Sequence, residues 1–313
     1  MTLAPRRLRL ALTALAVAVT ATVGTVAPAR PAAAIVGGQS ANGPYDGVAA
    51  VQVVFPGLGT ALCGGTLIRA DWVLTAAHCV SDDAAAPAAV AVPAGNITVW
   101  VGSLDRTSGG ESVTGKAVYL APTWAWAANW PASPVSDYAL VELTRPVAAP
   151  PMLLDVVPVP EAGDVRLVGW GLTAYPPTAG PPSLLQERDT VRLPDGDCAG
   201  GFLGLGEVCL GGGACYGDSG SPSLHRLIPK PTTGQPNRRP VWAANGMASR
   251  ETSADSPCAD PTVYTDLTWM PLRLWVWTTI RDHRSPPCRC APTGPLDAAG
   301  ADRVRRLRPA INR

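Results

Sequence analysis

The chain of 313 residues is short of the side chains that metal and cofactor sites commonly use. It contains only three His, and its eight Cys include no C-x-x-C spacing. This pattern argues against a zinc site, because such sites need clustered Cys and His ligands. Charged residues make up only 16% of the sequence and hydrophobic residues 47%, which is too apolar for a disordered chain. We therefore expect a folded protein without a metal or cofactor.

Basic charge is scarce in the middle of the chain and concentrated at its two ends. Residues 1–34 contain four Arg and no acid, and residues 284–313 contain seven Arg and two Asp. Residues 35–283 therefore hold 14 basic and 22 acidic side chains, a net charge of −8. Nucleic-acid binders carry their basic charge on the folded domain, so we expect no nucleic-acid partner.

Residues 1–34 have the features of a signal peptide. Three Arg precede an uncharged apolar stretch, and Ala32 and Ala34 form an A-x-A cleavage site before Ile35. The alternatives are cleavage after Ala29 and retention of the apolar stretch as a transmembrane anchor. No later run in the sequence is long and apolar enough to span a membrane. We expect a secreted, extracellular protein without a stable membrane anchor. Export also favours disulfides between the cysteines, because the extracellular compartment is oxidising.

From Ile35 onward the sequence predicts an all-β fold. Short apolar and β-branched runs alternate with breaks rich in Gly, Pro and Asp, a pattern typical of sandwiches and barrels. The predicted strands include Val48–Phe55, Cys63–Ile68, Trp72–Ala76, Ile97–Val101, Tyr138–Leu143, Val165–Trp170 and Thr262–Asp266.

The last part of the chain predicts one helix and a tail. Leu272, Val276 and Ile280 follow helical spacing together with Trp275 and Thr279, as expected for an apolar stripe that packs on the domain. Beyond the helix the sequence is rich in Pro, Arg and Ala, so residues 284–313 are predicted to be a flexible basic tail.

Three separated motifs carry the chemistry. His78 follows a predicted strand, Asp137 begins another, and Ser219 lies in the turn Gly217–Pro222. A serine hydroxyl becomes a nucleophile when an imidazole removes its proton, and a carboxylate then holds the imidazole in the right tautomer. A turn flanked by Gly can point backbone N–H groups at a developing oxyanion. Together, in the order His, Asp, Ser, the motifs predict nucleophilic catalysis by serine.

These motifs resemble those of the trypsin/chymotrypsin family of secreted serine endopeptidases, in its bacterial type. The resemblance extends over residues 35–283. It includes the stretches Ile35–Gly38, Cys63–Ile68, Thr75–Cys79, Asp137–Leu143, Val168–Gly171, Cys215–Pro222 and Val263–Thr265.

The resemblance implies two packed six-stranded antiparallel β-barrels with a C-terminal helix. The N-terminal barrel would occupy about residues 35–150, the C-terminal barrel about 151–268 and the helix about 269–283. It also implies a monomer, with polypeptide substrates and protein protease inhibitors as partners.

The resemblance assigns roles to the motif residues. His78 would be the general base, Asp137 its orienting carboxylate and Ser219 the nucleophile that forms an acyl-enzyme. The backbone N–H groups of Gly217 and Ser219 would form the oxyanion hole.

Activation in this family depends on a new N-terminus. The freed α-amino group of Ile35 would pair with a buried Asp218, and breaking such a pair costs on the order of 3–5 kcal/mol. Signal-peptide removal after Ala34 would expose Ile35 directly, whereas cleavage after Ala29 would leave a short propeptide.

The resemblance also implies the disulfides. Cys288 and Cys290 have no counterpart in the family. The implied pairs are Cys63–Cys79, Cys198–Cys209 and Cys215–Cys258.

The residues that would form the substrate pocket depart from the family pattern. Gly213 stands where trypsin-like members carry an Asp, and the usual Ser-Trp-Gly reads Ser249-Arg250-Glu251. Glu251 and Thr262 occupy wall positions that are usually Gly and would narrow the pocket. We therefore expect a small or aliphatic P1 residue rather than strictly Arg or Lys. Glu251 could instead act as a displaced acid that favours a basic P1.

The sequence contains features of three other kinds of protein or site. Asp105 and Glu111 lie in a loop where some relatives bind calcium, but two acids in a polar loop are usually just solvated. An esterase elbow G-x-S-x-G does not fit, because Ser221 stands where its second Gly must be. A catalytically silent homologue that acts as an extracellular binding module remains the alternative function.

Overall fold

A computed structural model describes residues 35–43, 45–82, 89–124, 136–227, 241–253, 257–259 and 261–283. The predicted signal peptide (1–34) and basic tail (284–313), including Cys288 and Cys290, lie outside these residues. Within them, no helix has the length and apolar character needed to cross a membrane.

The described secondary structure is mostly β. The strands are β1 (Gln39–Ser40), β2 (Val48–Phe55), β3 (Gly59–Arg69), β4 (Trp72–Thr75), β5 (Ser81–Asp82), β6 (Val90–Ala91), β7 (Ile97–Val101), β8 (Glu111–Leu120), β9 (Ala139–Leu143), β10 (Leu153–Leu154), β11 (Asp164–Gly169), β12 (Gln186–Val191), β13 (Glu207–Leu210), β14 (Pro222–Leu227), β15 (Val241–Glu251) and β16 (Thr262–Asp266). Three 3-10 helices, η1 (Ala77–Cys79), η2 (Ala94–Asn96) and η3 (Asp195–Gly201), and one α-helix, α1 (Met270–His283), complete the described elements.

Six strands close into the first barrel in the order β2-β3-β4-β9-β8-β7, with antiparallel pairing throughout. In β7, Ile97, Val99 and Val101 are buried and alternate with partly exposed residues, as expected when one strand face lines a core. β4 and β9 are buried along their whole length. Their pairing places the end of β4 beside the start of β9, since Thr75 is opposite Ala139.

The second sheet runs in the order β1-β12-β11-β14-β15-β16-β13, with β10 parallel to β15. A bridge between Arg192 and Leu210 brings β13 back to the end of β12. Two backbone hydrogen bonds flank it, from Gly211 N to Val191 O (3.0 Å) and from Leu193 N to Cys209 O (2.9 Å). These contacts close β11–β16 into a second ring of six strands. The predicted all-β fold class is therefore confirmed.

The C-terminal helix α1 packs its predicted apolar stripe against the first barrel. Leu272, Val276 and Ile280 are buried within the same hydrophobic cluster as the barrel core. Trp275 is half-buried and contacts the ring of Tyr138 at 5.1 Å between centroids. The stripe thus ties the end of the domain to the segment that begins β9.

Candidate active site

Strand pairing in the first barrel brings His78 and Asp137 together. His78 lies on η1, directly after β4, and Asp137 lies just before β9, the neighbouring strand. The backbone N–H of His78 donates to Asp137 Oδ1 at 3.0 Å, and its ring Nδ1 lies 2.8 Å from Asp137 Oδ2. Because an ionised carboxylate only accepts hydrogen bonds, this contact places the ring proton on Nδ1 and leaves Nε2 as the basic nitrogen.

Asp137 is held ionised by its partners. Its side chain is fully buried, and Ser249 Oγ on β15 donates to Oδ2 at 2.7 Å. Burial alone would raise the pKa of Asp137, but His78 and the hydrogen bond from Ser249 outweigh burial and hold the pKa below its usual value. A buried carboxylate of this kind can stabilise a protonated imidazole beside it.

Ser219 lies in the turn between β13 and β14 and lines the same cleft as His78. Its carbonyl accepts from Gly64 N of the first barrel at 2.7 Å, which links the turn to β3. Gly217 and Gly220 have φ values of +100° and +79°, a region that L-residues with a side chain rarely adopt. The glycines therefore fix the turn that presents Ser219.

Two backbone amides in this turn are free to bind an oxygen. Asp218 N donates to Cys215 O and Gly220 N to Ala248 O. Within the described part of the chain, the N–H groups of Gly217 and Ser219 donate to no protein acceptor. Both residues line the cleft, so the arrangement can stabilise a negative oxygen there.

Asp218 points away from the cleft into the second barrel. Its carboxylate accepts from Gly171 N at 2.8 Å and from Cys215 N at 3.0 Å. Burial raises the pKa of Asp218 to about 7, and these two hydrogen bonds only partly oppose the shift. An ideal Cβ on Gly169 would lie 2.0 Å from Asp218 Oδ1. The carboxylate therefore occupies the space that a side chain at position 169 would fill.

Ile35 is buried in the core cluster of the second barrel. The adjoining residue is anchored there, because Val36 N donates to Gly213 O at 2.8 Å. In the continuous chain the nitrogen of Ile35 is an amide, so it supplies no ammonium charge to Asp218.

Ser221, two residues after Ser219, fits in the turn because a glycine faces its side chain. An ideal Cβ on Gly64 would lie 1.9 Å from Ser221 Oγ. The serine side chain therefore fills the space beside Gly64. Its Oγ is buried and has no hydrogen-bond partner within the described residues.

The cleft has a volume of about 670 Å³ and extends from His78 and Ser219 to Ser249, Glu251 and Thr262. Glu251 and Thr262 are cross-strand neighbours on β15 and β16, and Glu251 Oε2 accepts from Cys258 N at 3.2 Å. The structure therefore brings three of the four predicted pocket residues to the cleft.

Gly213 does not line the cleft. Its φ is +133°, and an ideal Cβ there would lie 2.8 Å from Arg188 Nη1 and 3.0 Å from Ile35 Cγ2. Gly213 thus belongs to the packing around Ile35, and the neighbouring Ala214 lines the cleft instead. The reason is that Gly213 packs against Ile35 and its carbonyl accepts from Val36 N, and the chain reaches the cleft only at Ala214.

The three implied disulfides are formed: Cys63–Cys79, Cys198–Cys209 and Cys215–Cys258. Cys63, His78 and Cys79 lie close enough to hold a metal ion, but the two sulfurs are bonded to each other and cannot act as thiolate ligands. The disulfide therefore links the residue after His78 to β3 and restrains the position of His78.

Asp105 and Glu111, the two acids in the loop where some relatives bind calcium, have hydrogen-bond partners within the protein. Asp105 Oδ1 accepts from Thr107 N and Oγ1, and Glu111 pairs with Arg145. Their hydrogen bonds account for the lowered pKa values of both carboxyl groups.

Several cleft residues carried no sequence signal. Phe55, Leu62 and Tyr216 line the cleft, and Tyr216 also contacts the ring of Tyr175 at 5.6 Å. Arg250 lines it too and pairs with Glu207. Among these four residues, Arg250 has a sequence signal for a place in the cleft, because it replaces the Trp of the family's Ser-Trp-Gly stretch.

Comparisons with known proteins agree with this geometry. The profile of the family described as Trypsin matches residues 35–268. The chain is 31% identical over 191 residues to Trypsin 5G1 of Aedes aegypti, covering 56% of this chain and 65% of that protein. It is 32% identical over 173 residues to Serine protease SP24D of Anopheles gambiae, covering 52% and 58%. It is also 31% identical over 250 residues to Serine protease 56 of Homo sapiens, covering 74% and 37%.

The chain thus spans less than two thirds of the length of each of these relatives. They come from insects and a mammal, so the bacterial type stays a prediction. Since the family profile covers most of the chain and includes all the motif residues, the chain belongs to the trypsin family of serine proteases.

Proposed function

We propose that the chain is a secreted serine endopeptidase that hydrolyses peptide bonds through an acyl-enzyme. The observation that carries the proposal is the cleft itself. There the buried, ionised Asp137 orients His78, and Ser219 lies on the same cleft beside two free backbone amides.

The residues would act in the following way. Ser219 Oγ attacks the carbonyl carbon of the scissile peptide while His78 Nε2 takes the hydroxyl proton. The N–H groups of Gly217 and Ser219 stabilise the resulting oxyanion. Asp137 stabilises the imidazolium, which then gives its proton to the leaving amine. A water activated by His78 hydrolyses the acyl-enzyme and regenerates Ser219.

Maturation would expose Ile35 as the N-terminus, by signal-peptide removal alone or through a short propeptide. A protonated α-amino group at Ile35 would neutralise Asp218, whose burial disfavours its charged form. Polypeptides would be the substrates and protein protease inhibitors the other partners, with the enzyme acting as a monomer.

A fluorophosphonate probe tests the function, because it labels only an activated serine. We expect intact-mass analysis of the exported protein to show one adduct on a chain that begins at Ile35. Ser219→Ala should abolish the adduct, whereas Ser112→Ala, at an exposed serine on β8, should retain it. No adduct on a chain beginning at Ile35 would contradict the proposal and favour the catalytically silent binding module. No adduct on a chain with extra N-terminal residues would identify the zymogen.

The P1 preference is proposed to be small or aliphatic. Ala214 and Ala248 contribute small side chains to the cleft, and Glu251 and Thr262 face each other across β15 and β16. Ala214, which lines the cleft where Gly213 was expected, supplies no carboxylate to pair with a basic side chain. Thr262 lines the cleft, and its Oγ1 is buried without a hydrogen-bond partner in the described residues.

A peptide panel that varies only P1 tests this preference. We expect Ala, Val, Ser and Thr at P1 to give higher kcat/KM than Arg or Lys. Glu251→Gln, measured in parallel, shows whether cleavage after Arg or Lys depends on this carboxylate. A preference for Arg or Lys that Glu251→Gln abolishes would establish the displaced-acid alternative instead.

A further inference from the structure

A buried ion pair lies behind the cleft. Arg250 on β15 and Glu207 on β13 form a two-pronged contact, with Nη1 to Oε1 at 2.5 Å and Nη2 to Oε2 at 2.7 Å. Their side chains are only 5% and 3% exposed. Arg250 also donates from Nε to Gly201 O at 2.7 Å and from Nη2 to Phe202 O at 3.1 Å. The guanidinium is therefore fixed in one orientation.

Stability alone does not explain this pair. Removing two charges from water is expensive, and well-packed apolar residues in place of a buried pair are often as stable or more so. The pair also spans a strand, because β16 lies between β15 and β13 in the sheet. A contact of this kind restrains the position of the end of β15 relative to β13.

The end of β15 contains an irregularity at the residue before Arg250. Ala248 pairs with Tyr264 and Arg250 with Val263, so Ser249 is an extra residue, a β-bulge, between them. Bulges redirect side chains and are frequent beside active sites. Here the bulge lets Ser249 reach Asp137 in the first barrel while Arg250 reaches Glu207.

Hydrogen bonds connect the pair to the catalytic residues. Arg250 Nη1 donates to Ser249 Oγ at 3.3 Å, and Ser249 Oγ donates to Asp137 Oδ2 at 2.7 Å. Asp137 Oδ2 in turn lies 2.8 Å from His78 Nδ1. The contacts run without a break from Glu207 on β13 to His78 on η1.

We propose that Glu207 and Arg250 are positioning residues that hold Ser249 and Asp137 in place and balance the charge beside His78. The inference rests on the proposed endopeptidase function. Arg250 places a cation two hydrogen bonds from Asp137, and Glu207 offsets that cation. Without the negative charge of Glu207, the guanidinium of Arg250 would disfavour protonation of His78 more strongly.

Other titratable groups surround the His78–Asp137 pair but are the same in every variant below. They are Tyr138 next to Asp137, Tyr216 and Asp218 on the turn that carries Ser219, and Glu251 on β15. Cys63 and Cys79 do not titrate, because they form a disulfide. A change in the pH profile on altering Glu207 therefore reports the buried pair.

The test measures kcat/KM, kcat and fluorophosphonate labelling of the mature chain across pH 5–9. Glu207→Gln should lower kcat/KM at pH 7 about tenfold, mainly through kcat. It should also move the rising limb of the profile about one pH unit lower. Glu111→Gln is the matched control, because it breaks the exposed pair with Arg145 on the first barrel. It should leave the profile unchanged.

A double variant covers the case in which Glu207→Gln does not fold. Glu207→Met with Arg250→Met removes both charges and leaves no buried charge unpaired. We expect it to fold, to lose kcat about tenfold with little change in KM, and to keep the wild-type midpoint of the pH profile. Wild-type kcat/KM in this variant, or a wild-type profile in a folded Glu207→Gln, would overturn the inference. If the wild-type chain beginning at Ile35 takes no probe, the endopeptidase proposal itself fails, which is a different result.

Discussion

Asp137 and Asp218 are both buried carboxyl groups, but their surroundings move their pKa values in opposite directions. Asp137 has a histidine and a serine hydroxyl as partners, and its pKa falls despite burial. Among the described residues, Asp218 has two backbone N–H donors and no cationic partner, and burial raises its pKa to about 7. The ionised form of Asp218 therefore needs a cation that the described residues of the continuous chain do not supply.

We expect the uncleaved chain to lose stability as pH rises from about 4 to 7. Between the ordinary pKa of Asp and the raised value, the folded state holds a proton that the unfolded state releases, so the free energy of unfolding falls with pH. The total effect of Asp218 is about 4 kcal/mol. Asp137 contributes in the opposite sense, since its stabilisation is lost only as pH falls through its lowered pKa, below this window.

Denaturant unfolding between pH 4.5 and 7.5, of a Ser219→Ala chain that is made to begin at Arg30 so that the nitrogen of Ile35 stays an amide, measures this. Asp218→Asn should flatten the pH dependence, whereas the exposed Asp164→Asn should not. Parallel curves for the parent and Asp218→Asn would show that Asp218 is not the titrating group.

Among the elements, β15 contributes most to the site. Its buried residues include Ala248 and Ser249, both of which line the cleft, and its bulge gives Ser249 access to Asp137. The strand is also paired to β14 on one side and β16 on the other. The position of the cleft wall is therefore set by the sheet of the second barrel.

The disulfide Cys215–Cys258 links the turn of Ser219 to the segment before β16. Its cysteines are 43 residues apart in sequence, against 11 for Cys198–Cys209. Replacing Cys215 and Cys258 by Ala should cost about 4 kcal/mol of unfolding free energy, against about 3 kcal/mol for the other pair, because the longer loop restricts the unfolded chain more.

Replacing Cys215 and Cys258 should also slow fluorophosphonate labelling, because Cys215 lines the cleft and its N–H binds Asp218. Thermal and denaturant unfolding, with labelling rates on the same samples, check both effects. An unchanged labelling rate would mean that hydrogen bonds alone hold the Ser219 turn.

At the scale of the whole molecule, the candidate catalytic residues come from both barrels. His78 and Asp137 belong to the first, and Ser219 and Ser249 to the second. Ile35, near the start of the described chain, is buried in the core of the second barrel, close to the turn of Ser219. The state of the N-terminus can therefore affect the cleft.

A chain that begins at Ile35 should label with a fluorophosphonate about 100-fold faster or more than one that begins at Arg30. The reason is that, in the maturation proposed above, the free α-amino group of Ile35 neutralises Asp218, and a lost partner in a buried pair costs on the order of 3–5 kcal/mol. Labelling rates of both purified forms, with Asp218→Asn on the shorter chain as a control, measure the difference. Equal rates would rule out a role for the new N-terminus.

Local patterns predicted much of the fold. β2, β7 and β16 have the predicted bounds, Val48–Phe55, Ile97–Val101 and Thr262–Asp266, because each is an apolar run between clear turn signals. β12 (Gln186–Val191) was not predicted, since its sequence is polar. Its residue Glu187 is buried because Tyr45, Arg166 and Gln39 supply partners from other segments.

The amino-acid sequence is sufficient to predict the all-β class, the apolar stripe of α1 and the three motifs that carry His78, Asp137 and Ser219. These follow from local periodicity and from short motifs, which act within a few residues. The packing of Gly213 against Ile35 and the hydrogen bonds by which Ser249 joins Arg250 to Asp137 arise from the folded arrangement of distant segments. Those relations depend on strand register, a bulge and burial between segments far apart in the chain, which no local pattern specifies.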